Sequence, residues 1–153
     1  MGSEQLQEFA VACRRGLETL AGRRGSMFQG FPKAACGPAS ELVGRLLKER
    51  LGLEGFYVCG DDHPGLLEHQ THAWFEVGDH IIDITYDQFA GVRLEGWLLP
   101  ATSSWHMAFR CIERRPGYCV PSGWPMYPFD GYGAMERVLD CQGHHWAGQE
   151  RTC

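Results

Sequence analysis

The chain has 153 residues, 44% hydrophobic and 22% charged, with a net charge of −5. That length fits one domain, spanning 1–153, with enough chain to bury a core. The acidic balance, spread without long runs, argues against nucleic acid or anionic membrane as the main partner, and no stretch approaches the roughly 20 apolar residues that cross a bilayer.

The opening residues "MGSEQLQEFAVACRRG" show neither a basic n-region nor an apolar h-region, so no signal peptide is read. Seven cysteines (13, 36, 59, 111, 119, 141 and 153) form no CxxC pair and are odd in number. They read as reduced thiols in a reducing compartment, which is the cytoplasm of the protein's own cell or of one it enters.

Leu6, Phe9, Ala10, Cys13, Leu17 and Leu20 recur at helical spacing, so about 4–21 is expected to form an amphipathic helix that ends near Gly22. Cys13 lies on the apolar stripe and reads as a packed core thiol. A second stripe, Ala39, Val43, Leu46 and Leu47, marks a helix up to about Arg50, with Gly52 as its stop. Proline is tolerated only in a first helical turn, so Pro38 requires that helix to begin at about Gly37. Cys36 then stands at or beside the N-cap.

Beyond Gly52 the period changes. "FYVCG" (56–60) reads as a short strand and "DDHPGLLEHQ" as a loop. "THAWFEV" (71–77) and "HIIDITY" (80–86) are β-rich runs joined by Gly78-Asp79, a two-residue hairpin signal. Further on, a strand is expected near 105–113, an irregular Pro/Gly/aromatic segment at 116–133, a short helix in "AMERVLDC", and a polar tail. Helices followed by strands imply an α+β fold, with the N-terminal helices packed on an antiparallel sheet.

The hairpin turn sets a register in which Val77 faces His80, Phe75 faces Ile82 and Trp74 faces Asp83. His72, Trp74, Ile81 and Asp83 then share one face, because side chains alternate with period two. His72 and Asp83 are diagonal neighbours, which lie roughly 7–8 Å apart at the backbone, within reach of an imidazole. Trp74 can shield that pair from water and is also a candidate for the substrate pocket.

A helix N-terminus carries about half a positive charge and favours a thiolate. Cys36 as nucleophile, His72 as base and Asp83 as the group that orients the base complete a triad. The sequence contains no asparagine, so a carboxylate has to orient the histidine. Asp87 keeps Asp83's parity and remains an alternative acid. Candidates for the oxyanion donor are the Cys36 N–H together with a side-chain amide, Gln88 or Gln29.

"FPKAACGPASELVGRLL", "THAWFEV" and "HIIDITYDQF" resemble the Cys–His–Asp core of papain-fold and transglutaminase-like cysteine enzymes. The nearest likeness is to the glutamine-deamidase domains of bacterial dermonecrotic-type toxins, and the pattern is also similar to that of transglutaminase-like peptidases of lasso-peptide precursors. The resemblance spans about 28–89 and implies a thiol hydrolase acting through a thioester on a protein or peptide, without a cofactor. In the toxin group a glutamine follows the catalytic aspartate by a few residues, as Gln88 does here. The short spacing from Cys36 to His72 makes this a minimal version of the fold.

Two other readings stand beside this one. Cys111, Cys119, Cys141, His144 and His145 crowd the C-terminal half, but only Cys141-x-x-His144 has ligand-like spacing, so no metal is expected. A binding or inhibitor module could also keep the fold without the chemistry. The substrate and the oligomeric state are not readable from these residues.

Overall fold

The computed structural model of the chain describes residues 2–117 and 127–147, the last five as backbone only. Helix α1 runs Ser3–Glu18 and buries Leu6, Phe9, Ala10, Cys13 and Leu17, the stripe its periodicity marks. Two turns later Gly22 adopts a left-handed φ of 81° and ends the helical segment.

Helix α2, Cys36–Leu46, buries Ala39, Leu42, Val43 and Leu46. Its last turn widens into a π turn, Leu47–Leu51, closed by Gly52 in the left-handed conformation. A third long helix, α4, spans Phe129–Ala147.

Five strands form one antiparallel sheet: β1 Phe56–Asp61, β2 His72–Val77, β3 His80–Ile82, β4 Leu98–Pro100 and β5 Cys111–Pro116. Their order is β4-β3-β2-β1-β5. The β2–β3 register pairs Phe75 with Ile82 and Val77 with His80, as the turn arithmetic requires. Gly78 supplies the positive φ, 57°, at the first turn position.

The sheet separates two apolar layers. On one face Tyr57, Ala73, Phe75, Val77 and Ile82 pack against α1, α2 and α4. On the other, Val58, Trp74, Ile81 and Phe109 pack under loop residues such as Leu66, Val92 and Leu94. This is the α+β architecture expected from the order of elements.

Three local readings are corrected. The strand expected near 105–113 is split: Ser104–Met107 forms a short helix, α3, and pairing starts only at Cys111. Strand β4, just three residues long, is too brief to show a period. Helix α4 is much longer than "AMERVLDC": it begins at Phe129, inside the segment expected to be irregular. Gly131 has a packing role there: a Cβ on it would stand 2.4 Å from the Phe28 ring. The rest of the segment expected to be irregular, 118–126, lies outside the described residues.

Candidate active site

The chain enters α2 through Ala34, a non-glycine residue at φ 58°, and Ala35, which serves as N-cap without a side-chain hydrogen bond. The first helical bond runs from the Ala39 N–H to the Ala35 carbonyl at 2.9 Å. Cys36 is the first helical residue, so its N–H and that of Gly37 belong to the turn that has no intrahelical acceptor. Pro38 has no N–H, so the two free donors are those next to the sulfur. The Cys36 side chain is half-buried where α2 packs against β2.

His72 opens β2 and is wholly buried. Its Nε2 lies 2.7 Å from Oδ2 of Asp83, which is also wholly buried. Asp83 stands one residue beyond β3, where its N–H donates to the Trp97 carbonyl at 3.0 Å. Desolvating a carboxylate costs several kcal/mol unless donors replace the lost water. Asp83 has them: Oδ1 accepts the Thr85 N–H at 3.1 Å, while Oδ2 accepts from His72 and from a second imidazole, that of His106, at 2.7 Å.

His72's other nitrogen, Nδ1, faces the reactive side. Gln88 Nε2 is 3.1 Å from it, and the imidazole and, more weakly, the Gln88 amide both act to lower the Cys36 thiol. With Nε2 held by Asp83, Nδ1 is left to exchange a proton with the thiol. The imidazole is walled in by Phe89, Trp105 and Trp74, at ring-centre distances of 5.2, 5.6 and 5.9 Å.

Electrostatics favour charge separation across this contact. Burial raises the Cys36 thiol, but the hydrogen bond and charge of His72, with smaller help from the Ala73 backbone and Gln88, outweigh it and leave the thiol below its ordinary value. Burial likewise opposes a charged His72, yet Asp83, by charge and hydrogen bond, and Cys36 push it up to about 9. Asp83 is held well below the usual carboxylate range: burial raises it, and the two histidines more than offset that. Cys13, by contrast, is raised by burial and is inert.

The remaining sequence candidates sort clearly. Gln88 reaches the triad through the 3₁₀ turn Tyr86–Gln88. Gln29 does not: its side chain is exposed and its backbone bonds to Gly22 and Ser26. Asp87 turns the other way, onto Arg14 at 2.8 and 2.9 Å, which resolves the choice of acid geometrically. Trp74 shields the histidines and is not among the residues lining the groove beside Gln88. It is fully buried, with its indole N–H on Glu76 at 3.2 Å.

The surface next to the triad is a groove of about 620 Å³. It lies between Gln88 and Phe89 on one side and Pro64, Leu66 and Gln70 on the other, with Lys33 contributing a charge. His106 is a neighbour of the site that sequence reasoning missed. No local pattern links "SSWHM" to a carboxylate 23 positions upstream.

Among the described residues, His72, Asp83 and His106 are the group of three whose donor atoms cluster closely enough, within 4.8 Å, to suggest a metal. The nitrogens that would face an ion instead meet Asp83 Oδ2 directly, so hydrogen bonding accounts for the cluster. Of the C-terminal set, Cys111 is exposed and free, while Cys119 and the side chains of His144 and His145 lie outside the described residues. Cys13, Cys36, Cys59 and Cys111 are free thiols as expected, whereas Cys141 is disulfide-bonded, against the expectation of a fully reduced chain. No helix of the described residues is long and apolar enough to cross a membrane. Comparison of the chain with family models, curated proteins and solved structures finds no match.

Proposed function

We propose that this protein is a cysteine-dependent amide hydrolase of papain/transglutaminase-like type, with Cys36, His72 and Asp83 as its triad. The observation that carries the reading is the buried His72–Asp83 pair, bonded at 2.7 Å, whose imidazole acts on a thiol at a helix N-terminus. An accidental core cysteine would need neither a buried base nor a carboxylate holding that base.

In this reaction the Cys36 thiolate attacks a carboxamide carbon, and the oxygen that becomes negative is met by the Cys36 N–H and the Gln88 amide. His72 gives its Nδ1 proton to the departing nitrogen, leaving a thioester and free ammonia or amine. Water then loses a proton to His72 and attacks the thioester, releasing acid and thiol. Asp83 keeps Nε2 protonated throughout and stays anionic.

The preferred substrate is a protein glutamine, with the protein acting as an effector. Gln88, five residues after Asp83 and 3.1 Å from His72 Nδ1, supports that choice because the toxin-type deamidases share a glutamine at that place. The open groove beside Gln88 suits an extended polypeptide. Peptide cleavage and transfer to an amine use the same thioester and are the alternatives, and a non-catalytic binding module is the reading from another class.

Iodoacetamide labelling near pH 6 tests the nucleophile. Cys36 should react well before Cys59 and Cys111, and His72→Ala should abolish the difference. Equal rates would remove the activated thiolate. Intact mass of candidate substrates then separates the reactions, since deamidation adds about one dalton and leaves the chain uncut.

A further inference from the structure

Behind Asp83 stands an imidazole that the proposed reaction does not use. His106 is wholly buried on α3, with Nε2 2.7 Å from Asp83 Oδ2 and Nδ1 2.7 Å from Ser103 Oγ. His72 Nε2 lies 2.7 Å from the same oxygen. One carboxylate oxygen therefore serves two rings. The titratable groups facing His106 are Asp83 and, at a ring-centre distance of 6.5 Å, His72. The other neighbours are the indoles of Trp74 on β2 and Trp105 on α3, at 4.8 and 4.9 Å.

We propose that His106 is a positioning residue of this site: it holds Asp83 from behind and shares the oxygen that orients His72, so that two imidazoles set the negative charge His72 experiences. The inference rests on reading Cys36 as the nucleophile and His72 as its base.

A carboxylate oxygen that already accepts one strong hydrogen bond offers less charge to a second donor. A buried aspartate bonded to His72 alone would retain the imidazolium more tightly. His72 must release its proton to the leaving nitrogen and then take one from water, so an overly strong hold slows both steps. His106 moderates that hold. Ser103 fixes which of its nitrogens does so: the hydroxyl occupies Nδ1 and leaves Nε2–H for Asp83. A residue that merely filled the space would need no nitrogen aimed at the oxygen and no serine behind it.

The test is a ¹³C-histidine NMR titration of His72 in the wild type, His106→Phe and His106→Gln, with thermal melts of each. Phenylalanine fills the volume without a donor, whereas glutamine retains an N–H. In His106→Phe the His72 titration should move up by about one on the pH scale, the size expected for losing one hydrogen bond on the shared oxygen. In His106→Gln it should stay at the wild-type position. A purely structural role would lower the melting temperature of both variants and move neither titration, and that result would overturn the proposal. So would an equal shift in both variants.

If His106→Phe does not fold, Ser103→Ala replaces it. Loosening the ring should then shift His72 upward by a smaller amount, and an unmoved titration would count against the proposal. Added zinc or a chelator should leave the wild-type titration unchanged; a response to either would make the cluster a metal site and overturn the positioning role. Iodoacetamide labelling separates the two layers of argument. If Cys36 is not selectively labelled in the wild type, the nucleophile reading fails. If it is labelled but His72 ignores His106, only the present inference fails.

Discussion

His72 and Asp83, eleven residues apart, meet through Nε2 and Oδ2 at 2.7 Å with neither side chain exposed to solvent. A contact this short and dry leaves the carboxylate charge unscreened by water, and it is the source of the base's strength. Asp83→Asn keeps the shape and removes that charge. The imidazolium then loses its partner, and Cys36 loses the cation that lowers it. Iodoacetamide labelling of Cys36 near pH 6 should fall by about tenfold or more. An unchanged rate would mean that the helix end alone activates the thiol.

Gln88 and the triad are separable by the choice of probe. Alkylation develops no oxyanion, whereas a peptide aldehyde bound to the thiol does. Gln88→Ala should therefore leave iodoacetamide labelling nearly intact and weaken binding of a peptide aldehyde by about tenfold or more. A parallel loss in both would assign Gln88 to orienting His72 rather than to the oxyanion.

The pH dependence of stability carries two opposing contributions. His72 is raised, from an ordinary 6.5 to about 9, so its stabilising contribution is complete below 6.5 and is lost as the pH rises towards 9. Cys36 is lowered from an ordinary 9.0, so its contribution grows as the pH rises towards that value. Over this window the two contributions run in opposite directions. Cys36→Ser removes the rising contribution. Its melting temperature should fall more steeply than the wild type's between about pH 6.5 and 9. Parallel curves would show that Cys36 does not titrate below its ordinary value.

Arg14, buried on α1, ties that helix to the turn carrying Gln88. It donates to the Ile84 carbonyl at 2.8 Å, pairs with Asp87 through two bonds, and lies over the Trp97 and Phe31 rings at 4.3 and 4.7 Å. Arg14→Met preserves the apolar contact but strands a buried carbonyl. Chemical denaturation should show a loss of about 2–3 kcal/mol. A loss below about 0.5 kcal/mol, as for exposed ion pairs, would make the clamp dispensable.

Leu67, 75% exposed on the rim of the groove beside Gln88, has no packing role to explain its apolar side chain. Leu67→Asp should leave the melting temperature and iodoacetamide labelling unchanged. Labelling of Cys36 by a peptide chloromethyl ketone with an apolar side chain should slow severalfold. Equal rates in the two proteins would place the substrate elsewhere.

How much of this site was legible in the sequence follows from the range over which each constraint acts. Pro38 confines a helix start to one turn, and a two-residue turn at Gly78-Asp79 sets strand register, so the places of Cys36, His72 and Asp83 are local consequences of chain stereochemistry. The apolar stripe of α1 is local in the same sense.

Other features depend on contacts between segments distant along the chain. Parity left Asp83 and Asp87 equivalent, and only Arg14, 73 residues away, draws Asp87 aside. Gln88 and Gln29 were equivalent as amides until the turn after β3 brought one of them to His72. Gly131 lies in a segment whose composition reads as irregular, because its meaning is in the Phe28 ring against which α4 packs. His106 had no signal at all, since neither a period nor a turn connects it to Asp83; only the packing of α3 beneath the sheet brings the second imidazole to that carboxylate. Short-range geometry thus placed Cys36 and His72, while tertiary packing decided which aspartate, which amide and which second histidine surround them.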